Sequence, residues 1–263
     1  MEKHTLTSKE LVTLASFTDK NYFYGVANPF FGMSEKAINE TYDKVKFELD
    51  KKGYIKCGFD GSTTITEKGN EVLNKTIYAD VYCFIDGLID GTQNDRFSIY
   101  KSDKSEVIFK YDNDNVAIED GNVDSFIKML DDKYLSINAK AENGEKECNC
   151  KINDLVEIKR EIDEKKNELS FKDLIDFGSK LLMGKGLDKD IVECAVKGIL
   201  NNCNYVSVMS GNTKDRDLNT IQLIITTDKI IMMDIVTGDE TIVKYKSVDK
   251  NVIKEKIVST LKG

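Results

Sequence analysis

Tryptophan is absent from the 263 residues, proline and histidine occur once each, and only Arg96, Arg160 and Arg216 stand among the many lysines. Each scarcity removes something. The sole imidazole, His4, lies at a start that reads as disordered, which makes it a poor prospect as a base and leaves a zinc site without a histidine pair. No stretch approaches the ~18 consecutive apolar residues of a membrane span. Residues 1–7 carry no apolar signal core before a polar helix, so the expected location is the cytoplasm, without membrane insertion. Missing too are G-x-S-x-G, a phosphate loop, and G-x-G-x-x-G ahead of a helix. Cys57, Cys83, Cys148, Cys150, Cys194 and Cys203 share no framework spacing and are expected as reduced thiols. Cys148-Asn149-Cys150 lacks a second ligand pair and reads as strand alternation. A net charge of −8 opposes nucleic acid and anionic membranes at long range. These exclusions leave no catalytic residue, cofactor or metal to assign, and the expectation is a protein that is not an enzyme.

What is present describes an α+β chain. Hydrophobic residues make up 40% and charged residues 32%, spread along the whole length. A helix over 8–17 is announced by Thr7 with Glu10 three residues on, and Ser34 opens a second helix that Gly53 closes, with Ile38, Tyr42, Val45 and Leu49 at helical spacing. The stretch Lys52-Gly53-Tyr54-Ile55, an Asp60-Gly61 turn between Tyr54-Ile55 and Thr64-Ile65, and a helix capped by Thr66 form a winged-helix-like segment.

The period then changes to two. Strands are expected over 78–89, 97–100, 107–111 and 116–118, closed by a helix bearing Val123, Phe126, Ile127 and Leu130. A hairpin across Asn143-Gly144 is expected to pair 134–139 with 148–152. Helices over 153–168, 171–182 and 188–201 lead into a second block of strands and a helix bearing Ile253, Ile257 and Leu261. Asp112-Asn113-Asp114-Asn115-Val116 reads as a hairpin turn, because a calcium loop would need glycine at position six and glutamate at twelve. Met183-Gly184-Lys185-Gly186-Leu187 reads as a helix-to-helix turn.

The second block echoes the first. Gly91 to Arg96 and Gly211 to Arg216 share G-x-x-x-D-R, Cys83 matches Cys203 at the same offset, and the turns at Ser102-Asp103-Lys104 and Thr227-Asp228-Lys229 correspond. The expected architecture is an internally duplicated pair of antiparallel meanders flanked by helices about a pseudo-two-fold axis, joined in one larger sheet or two facing sheets. The expected segments are 1–76 (winged-helix-like), 77–132 (first meander and helix), 133–203 (hairpin and helices) and 204–263 (second meander and helix).

Candidate partner contacts are the aromatic stretch Tyr22, Phe23, Tyr24, Phe30 and Phe31, for which core is the favoured reading and a docking surface the second, and the repeated arginines Arg96 and Arg216. Arginine offers a planar donor fork suited either to clamping a strand start or to gripping a partner. Residues 34–52 alternate acidic and basic side chains, unlike the basic stripe of a DNA reader.

A winged-helix-like start followed by a helix–meander–helix plan repeated over the full length resembles the EspG-type chaperones of type VII secretion systems. That resemblance implies a cytosolic, non-enzymatic protein that binds a helical secretion substrate and keeps it soluble. No binding residue of the family transfers to a position here. The competing reading is a winged-helix DNA-binding regulator whose duplicated part senses a ligand, and an enzyme ranks third.

Overall fold

The period-two stretches condense into one antiparallel sheet. The structure, a computed structural model, describes residues 3–20, 23, 25–89, 93–136, 146–213 and 218–262. The amino-terminal elements are β1 (His4–Thr7), α1 (Ser8–Ala15), α2 (Glu35–Lys51), β2 (Ile55–Cys57), β3 (Thr63–Ile65) and α3 (Glu67–Lys75). The first meander follows as β4 (Val81–Ile89), β5 (Gln93–Ser102), β6 (Ser105–Asp112) and β7 (Asn115–Asp120), then α4 (Val123–Leu130) and a π-helical turn (Asp131–Leu135). Next come β8 (Glu147–Lys151), α5 (Ile152–Lys165), α6 (Phe171–Gly184) and α7 (Lys189–Ile199). The second meander is β9 (Asn204–Asn212), β10 (Leu218–Ile225), β11 (Ile230–Val236) and β12 (Ile242–Ser247), closed by α8 (Lys250–Lys262). Among the described residues the sheet holds ten strands in the order β1-β7-β6-β5-β4-β9-β10-β11-β12-β8, and β2 and β3 form a separate hairpin.

Local chemistry accounts for the helix ends. Thr7 and Glu10 make the reciprocal capping box, Glu10 N–H donating to Thr7 Oγ1 (3.1 Å) and Thr7 N–H to Glu10 Oε2 (2.7 Å). Glu10 is buried, and Lys52 at the end of α2 neutralises it at 2.7 Å. Gly53 sits at φ +76°, and the bonds Gly53 N–H to Asp50 C=O and Tyr54 N–H to Leu49 C=O complete a Schellman stop that seats Tyr54 beside Leu49 in the core. Lys185-Gly186 ends α6 in the same way, as its sequence suggests.

Side chains alternate between the two sheet faces. On one face Val81, Cys83, Ile85, Phe97, Ile99, Val206, Val208, Leu223 and Ile225 pack beneath α4, the π-helical turn and α8. The other face carries two separate layers. Helices α1 to α3 cover Tyr82, Tyr100, Val107, Phe109 and Val116, whereas α5 to α7 cover Ile224, Ile231, Val243, Tyr245 and Cys150. Each fully buried large apolar side chain contributes about 1.5–3 kcal/mol, against about 0–1 kcal/mol for an exposed ion pair, so these three clusters dominate stability.

Four expectations need correction. His4 does not begin a disordered start: β1 pairs with β7, and His4 is buried with Nδ1 3.1 Å from the Tyr54 hydroxyl. Four residues are too few to announce a strand by alternation, and the pairing comes from the rest of the sheet. The β2–β3 connection is longer than a two-residue turn: Gly61 N–H donates to Gly58 C=O, centring the turn on Phe59-Asp60, and Gly61 at φ +82° leads back to β3. Tyr134 and Leu135 belong to the buried π-helical turn, and β8 pairs with β12, so the expected 134–139/148–152 hairpin is not formed by these residues; residues 137–145 lie outside those described. Cys203 precedes β9 while Cys83 is the third residue of β4, so the two cysteines do not hold equivalent strand positions.

Candidate partner-binding surface

One cross-strand row runs through all ten strands: Leu6, Val116, Tyr111, Arg96, Asp86, Ser207, Gln222, Met233, Tyr245 and Cys148. Antiparallel partners point to the same face, so the row samples the cover along the whole width of the sheet. It is buried at Leu6 and Val116 under α1 to α3, opens from Arg96 through Met233, and is buried again at Tyr245 under α7. A second row repeats the pattern, from buried Phe84 to partly open Met209 and exposed Thr220.

Along the strands the exposure is graded. Ile224 and Ile231 are closed off by α7, whose Gly198 lies against Ile224. Towards the other end, Gln222 and Met233 are half open, Ile235 is 48% exposed and Leu218 58%. The result is a strip floored by Met209, Gln222, Met233, Ile235 and Leu218, with the Asp86–Arg96 ion pair (3.1 Å) along one side.

The sequence candidates fall as follows. Phe23 is buried in the amino-terminal cluster, Phe30 is partly covered, and Phe31 is 90% exposed just before α2. Gly25, at φ +74°, brings this loop against the Phe84 ring, where a Cβ would stand 2.8 Å from Cδ2, so the aromatic loop borders the strip. Arg96 lies on the strip, its Nε donating to Asp86 Oδ1 across β4 and β5. Tyr22, Tyr24 and Arg216 lie outside the described residues. Sequence reading missed Met209, Met233, Ile235 and Leu218. The signal was there in Ile230 to Val236, where Ile231, Met233 and Ile235 are apolar on the face that a half-solvated strand would make polar.

Reactive chemistry is weak around this surface. Burial raises the thiols of Cys150 and Cys203 to about 11 and that of Cys194 to about 12, so they are protonated at neutral pH. Among the described residues no three His, Cys, Asp or Glu side chains gather as metal ligands, and no helix is long and apolar enough to cross a membrane. A cleft of about 300 Å³ between α1 and α2 is lined by Thr7, Ser8, Glu10, Lys44 and Glu48, and within it Glu10 is already held by the Thr7 capping box and by Lys52.

The structure therefore defines an α+β scaffold in which one antiparallel sheet is covered over its central strands on one face and towards both ends, but not between them, on the other. No family model and no curated protein matches the chain. Among solved structures, its fold is similar to that of the Mycobacterium tuberculosis type VII secretion system chaperone EspG5, determined in complex with a PE25–PPE41 dimer. The two share 12% identity at a TM-score of 0.58, over 99% of this chain and 96% of that one.

Proposed function

We propose that the chain is a non-enzymatic chaperone or adaptor that holds a helical protein against the open strip, acting in the cytosol on a type VII secretion substrate. The observation that carries this reading is the row that is buried at both ends and open between. From β5 to β11 the opening crosses four strand spacings, about 19 Å at ~4.8 Å each. Two helices packed side by side, each about 10 Å across, fill that width. Methionines suit the task, since flexible thioethers repack against varied apolar surfaces. Similarity of fold to a type VII secretion system chaperone solved in complex with a PE25–PPE41 dimer supports the same reading.

Two features accompany it. The order of four strands and a helix occurs twice, and the displacement that carries the first residue of β4 onto that of β9 also carries Ile85 onto its own partner Val208, as a local two-fold axis requires. This supports duplication of one unit. The order α2, β2–β3 hairpin, α3 supports the winged-helix-like reading, and the charge-balanced α2 favours a protein partner over DNA.

The test is co-expression with candidate helical export proteins, comparing the wild type with a Met209→Glu/Ile235→Glu variant. Recovery of a helical partner by the wild type, lost in a variant of unchanged circular dichroism, is expected. Failure to retain any such protein, or equal retention by the variant, would overturn the reading.

A further inference from the structure

Strand β8 closes one side of the sheet, and among the described residues no strand pairs with its outer edge. Ser247 N–H donates to Lys146 C=O at 2.9 Å, and Ile152 N–H to Thr241 C=O at 3.0 Å. In an antiparallel ladder such pairs alternate, so Cys148 and Cys150 also turn their backbone groups towards β12. Glu147, Asn149 and Lys151 therefore aim theirs outward, and all three are exposed. An edge of this kind is a template for another strand.

We infer that β8 is a self-association edge whose partner is β8 of a second copy of this chain, extending the sheet across a two-fold axis. An isologous antiparallel pairing centred on Asn149 sets Asn149 opposite itself and Glu147 opposite Lys151 of the other copy. Those three residues are also the ones with outward N–H and C=O groups, so hydrogen-bond parity and charge complementarity select the same register. A slip by one residue breaks the first, and a slip by two replaces both ion pairs. The cysteines meet on the other face, Cys148 opposite Cys150, with no charge to oppose contact. Lys151 already pairs with Glu240 at 2.8 Å, so Glu147 of the second copy joins a cation flanked by one carboxylate. Each copy carries a net charge of −8, but beyond about 8 Å that repulsion is screened at physiological salt. A contact built on one short edge lies at the small end of specific interfaces, so the dimer is concentration-dependent.

Sedimentation equilibrium of the full chain between about 1 μM and 1 mM tests this. The wild type is expected to pass from monomer to dimer. Glu147→Lys and Lys151→Glu each place like charges opposite one another and should raise the dissociation constant by about tenfold or more. Asn149→Pro removes an outward N–H that pairs with no strand among the described residues, and should do the same with circular dichroism unchanged. An equimolar mixture of Glu147→Lys and Lys151→Glu should regain the dimer as a heterodimer, because both pairs become complementary again. A wild type that stays monomeric throughout, a dimer that Glu147→Lys leaves untouched, or a mixture that does not associate would overturn the assignment.

Discussion

Replacing Gly87 by alanine should be among the most damaging single-methyl additions in the sheet. Gly87 lies in β4, opposite Asp95 and Val206, and a Cβ there would stand 2.1 Å from both Cζ and the hydroxyl of Tyr134. The ring cannot step aside easily. Tyr134 is 1% exposed, donates its hydroxyl to the Asp95 carbonyl at 2.9 Å, and stacks on Phe97 at 6.4 Å and 11°. Overpacking of this kind costs about 1–3 kcal/mol and loss of the hydrogen bond about 0.5–1.5 kcal/mol, for a total of roughly 2–4 kcal/mol. At a urea dependence near 3 kcal/mol per molar, the midpoint should fall by about 1 M, measured by circular dichroism and tyrosine fluorescence. In a Tyr134→Leu background the slot is vacated, and the same alanine should cost at least about 1 kcal/mol less. A Gly87→Ala protein within about 0.5 kcal/mol of the wild type, or strict additivity with Tyr134→Leu, would refute the packing argument.

Two further outcomes rest on exposure and charge. Maleimide labelling at pH 8 should modify exposed Cys57 first and half-covered Cys148 later, with Cys83, Cys150, Cys194 and Cys203 reacting only in urea; simultaneous labelling of all six would contradict their burial. Lys254 at 2.8 Å, with Lys250 beyond it, holds the Asp131 carboxyl below its usual value and ties the π-helical turn to α8. A depressed folded value means that this pair stabilises above the unfolded carboxylate pKa of about 3.9 and ceases to do so as pH falls through the folded value. Asp131→Asn should therefore cost up to about 1 kcal/mol at pH 7 and progressively less as the pH is lowered towards 2. Equal destabilisation at both values would show that the ion pair is not the cause.

Much of the local structure was legible because its causes lie within a few residues. Thr7 with Glu10, Ser34, Thr66 and Gly53 mark helix ends through bonds spanning three to five positions, and those ends fall where they mark them. The meander strands show as alternation, since one turn of the pleat fixes which side chain faces the core. The open strip was not legible in the same way. Met209, Gln222, Met233 and Ile235 sit on three different strands, and only their shared face and the reach of α7 make them one surface.

From the sequence alone came the α+β class, the two blocks of strands and the helix caps, all consequences of short-range stereochemistry. Tertiary structure decided that β4 and β9 join the blocks into one sheet, that His4 is drawn into a buried strand, that β8 crosses to β12, and that one face stays open between two helical layers. Those outcomes depend on register between segments far apart in the chain. Register is chosen by the summed burial of whole faces, which no short window of residues contains.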